Sequence, residues 1–345
     1  MRLYVGLRTK QEDPMRTYRM DRLGSLDGLV AHEEPTPTPG PGEVLVQVKA
    51  TAVNFRDIFT LKGQSPFPVK SGVIPMSDAA GEVAAVGSGV TRFKAGDRVI
   101  NAFFRNWYGG PRAPNLETYG SDHDGWLAEF KVVGADALSL APGHLTFEEA
   151  ATLPCVAVTA WSALAGVRAG DTVLTQGAGG VAVFALQLAK LLGARVITTA
   201  RSAADGERLK KIGADGVVDY VANPEWADAV RGLTGGRGVD RVVEVGGPGT
   251  LAQSIKAVAY GGEISLVGAL AAGGSGIDFM SVFMSQVTLR CIGVGSRSDM
   301  EGLLRAVDGH AMHPVIDRVF PFAEAKSAWE HYAGGHVFGK VVIRH

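Results

Sequence analysis

Between residues 171 and 201 the chain passes from an apolar strand through a glycine turn straight into an apolar helix, a succession few folds accommodate. Residues 172–175 have strand character, the turn runs Gln176-Gly177-Ala178-Gly179-Gly180-Val181-Ala182, and an unbroken apolar helix is expected over 181–192. Gly177 permits the tight turn, Gly179 lets bare main chain approach an anion, and the small Ala182 allows helix and strand to pack closely. The helix start adds unsatisfied N–H groups and the positive end of its dipole. In a chain with 46 glycines the G-x-G-x-x-A spacing alone means little. Its place between strand and helix makes Gly177, Gly179, Gly180 and Val181 candidates for holding the pyrophosphate of a dinucleotide.

The flanking pattern supports this. Strands are expected at 172–175, 195–199, 217–219, 241–245, 263–267 and 288–294, alternating with helices at 181–192, 204–212, 224–233, 250–258 and 300–307. That rhythm predicts an α/β fold with a six-stranded parallel sheet. Upstream, residues 44–53 alternate apolar and polar, 81–86 do so less cleanly, and Gly and Pro turns lie between, as in a compact β domain. Residues 101–126 form a long irregular stretch rich in Gly, Pro and aromatics, of the kind that walls a site. Residues 314–344 return to β character. The expected organisation is a β domain of 1–156 and 308–345, with 1–14 as an added arm, interrupted by a dinucleotide-binding domain at 157–307.

A length of 345 residues fits two domains. Lys and Arg (34) balance Asp and Glu (35) without a basic run, which argues against nucleic acid and anionic membranes as partners. Two cysteines, no apolar leader and no run of membrane-spanning length point to the cytoplasm. The second strand ends in Thr198-Thr199-Ala200-Arg201-Ser202, with no carboxylate for a ribose 2′-hydroxyl. Arg201 and Ser202 offer charge and hydrogen bonds to a 2′-phosphate, so the expected cofactor is NADP(H).

Further motifs widen the reading: Pro39-Gly40-Pro41-Gly42-Glu43-Val44, Val53-Asn54-Phe55-Arg56-Asp57, Asp78-Ala79-Ala80-Gly81-Glu82-Val83, Gly96-Asp97-Arg98-Val99, Ala128-Glu129-Phe130, Val158-Thr159-Ala160-Trp161 and Phe338-Gly339-Lys340-Val341-Val342. With the glycine turn, in this order, they make the chain resemble the medium-chain dehydrogenase/reductase superfamily, especially its zinc-independent, quinone-oxidoreductase-like branch. The resemblance implies a Rossmann domain inserted into a GroES-like β-barrel domain, and a homodimer joined at the edge strand 287–294. It places Asn54 beside nicotinamide and substrate, Thr159 beside the nicotinamide half, and Gly246, Val267, Gly268, Phe338, Gly339 and Lys340 along the dinucleotide. Where zinc-dependent relatives carry a Cys and a His-Glu pair, this chain has Asn54 and Ser77-Asp78; only Cys155 keeps a third ligand, too few for zinc.

The expected activity is NADPH-dependent hydride transfer to an activated C=C bond (an enone) or a quinone. A zinc-free alcohol or aldehyde dehydrogenase and a non-catalytic NADPH-binding protein are the alternatives. Asn54, with Tyr108 or Tyr119, is a candidate donor to the developing oxyanion. Asp57 is a candidate acid, although a pairing with Arg56 or a turn cap weighs more. Asp122-His123-Asp124 reads as a solvated loop, Cys155 and Cys291 as packing residues, and His310, His313, His331 and His336 as surface or structural.

Overall fold

The computed structural model describes residues 14–65, 67–271, 273–274 and 276–345. The arm expected at 1–14 lies, apart from Pro14, outside them. Two compact units divide the chain. The first holds the described residues up to Ala151 with Val319–Ala333 and Val342–His345; the second holds Thr152–Arg318 and Gly334–Val341.

In the first unit β1 (Pro14–Met20) and β2 (Leu29–Pro35) form an antiparallel pair. The strands β3 (Glu43–Ala52), β4 (Ala79–Val86), β5 (Arg98–Asn101), β6 (Phe130–Gly134) and β7 (Leu138–Leu140) follow. The chain returns late to this sheet through β14 (Ile316–Pro321) and β15 (Lys340–Arg344), giving the order β14-β15-β3-β4-β5-β7, with β6 also on β3. The period-two pattern of β3 sends Val44, Val46 and Val48 into a core shared with Val83, Val99, Trp126 and Leu138. A short helix, Phe55–Leu61, interrupts the strands just after β3. The long irregular stretch contributes packing: Phe103, Phe104, Tyr119 and Trp126 are all buried.

The second unit contains β8 (Thr172–Gln176), β9 (Arg195–Ala200), β10 (Gly216–Asp219), β11 (Val239–Glu244), β12 (Val258–Leu266) and β13 (Thr288–Cys291). They form one parallel sheet in the order β10-β9-β8-β11-β12-β13. The chain moves outward from β8 to β10 and then crosses back to β11, so direction reverses at β8. In open α/β sheets ligands bind outside the C-terminal strand ends at such a reversal. Helices Gly180–Leu191, Ala203–Lys211, Trp226–Gly232 and Leu251–Ala257 link successive strands.

Several expectations need correction. Cys291 is exposed, not core, because β13 is the sheet's edge and its ends face outward. The strand expected over 288–294 stops at Cys291. Residues 314–344 are not all β, since Ala325–Ala333 is a helix. Residues 334–341, assigned from sequence to the β domain, go with the second unit.

Candidate functional site

The glycine turn lies at the C-terminal end of β8, between the last strand residue, Gln176, and the helix Gly180–Leu191. Gly177 has φ +76°, in the left-handed region that glycine enters without strain, and its N–H donates to the Thr199 carbonyl at 2.9 Å. A Cβ added at Gly177 or Gly179 would meet no atom within 4 Å, so bare main chain faces open space. Gly179 caps the helix and supplies no side chain to its first N–H groups. Twelve residues of helix thus present an uncapped N-terminus, starting at Gly180 and Val181, to that space. The residues fit a dinucleotide pyrophosphate.

Around this turn the second unit gathers the other expected residues. Gly339 bridges to Gly179, and its N–H donates to the Ala178 carbonyl at 2.9 Å. The Lys340 stem passes close to Gly180, where an added Cβ would be 3.1 Å from its Cδ. Phe338 is buried, with the Arg208 guanidinium 3.8 Å from its ring centroid. Thr159 is buried and donates its hydroxyl to the Cys155 carbonyl at 2.7 Å. That bond lies on a π-helical turn, Leu153–Ala157, a distortion often found at functional sites. Arg201 directs Nε to Asp205 at 3.1 Å and Nη1 to the Gly335 carbonyl at 2.8 Å. Ser202 caps the helix Ala203–Lys211, its oxygen accepting from the Asp205 N–H.

Sequence reasoning missed the group that aligns the strand ends. Glu244, fully buried at the end of β11, accepts from Gln176 Nε2 at 2.7 Å, Gly247 N–H at 2.8 Å, Thr250 Oγ1 at 2.5 Å and the Ser254 hydroxyl. The Gln176 Oε1 in turn accepts from the N–H groups of Val245 (3.0 Å) and Gly246 (3.2 Å). The Glu244 carbonyl receives the N–H groups of Val267 (2.8 Å) and Gly268 (3.3 Å). One carboxylate and one amide therefore tie the turn after β11, where Gly246 stands, to the end of β8, while the Glu244 main-chain carbonyl holds the turn after β12, where Val267 and Gly268 stand. The signal was present: a polar side chain ends each of the two strands, one or two residues before a glycine.

In the first unit Asn54 caps the helix Phe55–Leu61 and is 2% exposed. Its main-chain N–H donates to Asp57 Oδ2 at 2.8 Å, and its Nδ2 donates to Ser77 Oγ at 3.3 Å. The Ser77 hydroxyl donates to Asp78 Oδ1 at 2.7 Å, and Asn101 Nδ2 holds the Ser77 carbonyl at 2.8 Å. An amide, a hydroxyl and one carboxylate, already bonded to one another, are not the thiolate and imidazole set zinc prefers. Among the described residues no three His, Cys, Asp or Glu side chains group so as to hold a metal ion. The residues do not fit zinc.

Two expected catalytic residues have other roles. Asp57 is buried in the cap, with Arg56 Nη1 3.6 Å from its second oxygen, which is the structural alternative weighed above. Tyr119 is 1% exposed inside the sheet core, edge-on to Trp126 with ring centroids 5.3 Å apart. Burial pushes its phenol pKa upward, and a hydroxyl enclosed by core side chains has no path to a substrate. Tyr108, by contrast, is exposed. Asp122 and Asp124 are anchors more than solvated loop residues: Asp122 accepts from Thr118 N–H and hydroxyl, and Asp124 from Lys70 and Ile74.

Comparison with known proteins agrees with this architecture. Residues 40–143 match the alcohol dehydrogenase GroES-like domain and residues 180–309 the zinc-binding dehydrogenase domain. A zinc-type alcohol dehydrogenase-like protein of Schizosaccharomyces pombe is 39% identical over 336 residues, covering 94% of this chain and 97% of that protein. A chloroplast envelope quinone oxidoreductase homolog of Arabidopsis thaliana is 32% identical over 338 residues, covering 93% and 95%. A crystal structure from Sinorhizobium meliloti, titled as an alcohol dehydrogenase, superposes with a TM-score of 0.92 at 37% identity, covering 97% of this chain and 99% of that one. The GroES-like first unit, the Rossmann-like second unit and these matches agree: the chain belongs to the medium-chain dehydrogenase/reductase superfamily of alcohol dehydrogenase-like, nicotinamide-dependent oxidoreductases.

Proposed function

We propose that the protein is a zinc-independent, NADP(H)-dependent reductase of electron-poor C=C bonds or quinones. The observation that carries this reading is the pairing of a bare glycine cradle with a first unit whose zinc-ligand positions hold Asn54, Ser77 and Asp78 in mutual hydrogen bonds. When bound, the nicotinamide supplies the hydride. The chain's residues bind and orient: Gly177, Gly179, Gly180 and Val181 take the pyrophosphate, while Gly246, Val267 and Gly268 border the dinucleotide on turns fixed by Gln176 and Glu244. Thr159, Phe338, Gly339 and Lys340 complete the binding set. Arg201 and Ser202 favour a 2′-phosphate.

Asn54 is assigned to the nicotinamide and substrate end. Its N–H groups are turned toward Ser77 and the Ala52 carbonyl, 3.3 and 3.5 Å away, so donation to an oxyanion requires its amide to reorient. Without a Lewis acid to assist alcohol deprotonation, an acceptor activated by its own conjugation is the easier substrate. The name of the Arabidopsis relative supports a quinone; the alcohol dehydrogenase names among the matches favour a second reading, reduction of a simple carbonyl. The unpaired side of β13 and the exposed apolar helix Phe279–Ser285 support a homodimer. That Cys155 and Cys291 form no disulfide is consistent with a cytoplasmic setting.

The test follows absorbance of NADPH and NADH against a conjugated enone, a quinone and an aldehyde, with and without a chelator. Enone or quinone turnover with NADPH, unchanged by chelation, is the expected result. Turnover confined to the aldehyde selects the second reading, and turnover abolished by chelation and restored by zinc overturns metal independence.

A further inference from the structure

The Arg201 guanidinium is braced from two sides. Five N–H donors are available to it. Nε is spent on Asp205 and Nη1 on the Gly335 carbonyl, while Nη2 has no hydrogen-bond partner among the described residues. Ser202 accepts from the Asp205 N–H through its oxygen and so keeps its own proton to donate. Nη2 and the Ser202 hydroxyl therefore stand as donors at the start of the helix Ala203–Lys211, whose N-terminus favours an anion.

Gly335 belongs to the segment Gly334–Val341, which is tied down over its second half, from Phe338 to Lys340. Phe338 N–H donates to Asp317 Oδ1 at 3.3 Å, Gly339 N–H to the Ala178 carbonyl at 2.9 Å and Lys340 N–H to the Val315 carbonyl at 3.1 Å. Arg208 packs over the Phe338 ring. Those anchors begin three residues beyond the Gly335 carbonyl and restrain it, and an arginine on its long stem gains most from restrained partners. Gly335 has φ +73°, and an added Cβ would touch nothing within 4 Å. Substitution there acts through backbone conformation, not through a clash.

We propose that Gly335 is a positioning residue for cofactor discrimination: its left-handed backbone aims the carbonyl that holds Arg201 in the pose that receives a 2′-phosphate. This rests on the NADP(H) reading above and adds residue 335, on a distant part of the chain, to the recognition of that phosphate. Gly335→Val disfavours the left-handed conformation and swings the carbonyl away. Gly335→Asn tolerates a positive φ and keeps it.

The experiment measures binding of adenosine 2′,5′-bisphosphate and of 5′-AMP to the wild type and both variants by calorimetry, without turnover. The wild type is expected to prefer the bisphosphate. Gly335→Val should weaken it about fivefold while leaving 5′-AMP unchanged, and Gly335→Asn should restore it to within about twofold, as for one hydrogen bond lost and regained. If the wild type discriminates and Gly335→Val does not alter the bisphosphate, or weakens both ligands alike, the proposal is overturned while the NADP(H) reading stands. If the wild type binds 5′-AMP as tightly as the bisphosphate, that reading itself fails and takes the proposal with it.

Discussion

Two glycines separate the ligand's requirements from those of the fold. Gly179 has an ordinary extended backbone, φ −73° and ψ 174°, and open space where a Cβ would go. Gly179→Val should therefore leave the unfolding free energy measured in urea within about 0.5 kcal/mol of the wild type, yet weaken dinucleotide binding more than about tenfold by filling the cradle. Gly339 is the reverse case: φ is +88°, and a Cβ would sit 2.3 Å from the Val315 carbonyl oxygen. Gly339→Ala should cost on the order of 3 kcal/mol of stability before any ligand is added. Lys131 offers a third check at this scale. Its ammonium donates to the Asp124 carbonyl at 2.7 Å above the Tyr119 and Trp126 rings, and burial lowers its pKa to about 8 from 10.5. A folded pKa below the unfolded one means that the charged form is disfavoured on folding. The penalty is whole below pH 8 and fades as pH rises toward 10.5. The stability of the wild type relative to Lys131→Met should accordingly climb across that window, which denaturation at several pH values would show.

At the scale of elements, the parallel strands and their helices were legible because strand and helix character alternate regularly between glycine or polar breaks. Those expected at 195–199 and 204–212, for example, appear as Arg195–Ala200 and Ala203–Lys211. Phe55–Leu61 escaped because it lies among strands, outside the strand-and-helix alternation that revealed the equally short Trp226–Gly232 and Leu251–Ala257, although Asn54 and Asp57 stand at capping-box spacing. Ala325–Ala333 was hidden in a segment judged by the β-rich residues on either side. Cys291 was misassigned because alternation reveals which residues share a face but not whether another strand lies beyond. The site was readable where backbone conformation dictates residue type, as at Gly177. It was unreadable where side chains converge from separate strands, as at Gln176 and Glu244. Since Glu244 gathers at least four donors in a buried place, Glu244→Ala should destabilise the second unit by about 3 kcal/mol, the cost of stranding them. The turn after β11 that carries Gly246 would lose its anchor, while Val267 and Gly268 keep the main-chain carbonyl of residue 244, so dinucleotide affinity should fall with stability. Melting curves and binding titrations on the same variant check both.

For the whole molecule, the exposed apolar side chains Phe279, Met280, Phe283 and Met284 cluster on one short helix of the second unit. Phe279 and Phe283 stack with centroids 6.0 Å apart. Monomeric proteins rarely leave such a cluster to water, and a twofold partner would cover it. The double substitution Phe279→Glu, Phe283→Glu should halve the mass seen by light scattering, if the wild type is the proposed homodimer, without unfolding either unit. The second unit is also not contiguous in sequence. Its central turn is completed by Gly339, more than 150 residues downstream of Gly179. On the ribosome, where chains emerge amino end first and domains tend to fold as they appear, strands β8 to β13 are exposed well before that glycine exists. The nucleotide cradle can close only after residue 339 has been added, so a nascent chain stalled at residue 333 would hold an assembled sheet that still lacks part of its grip.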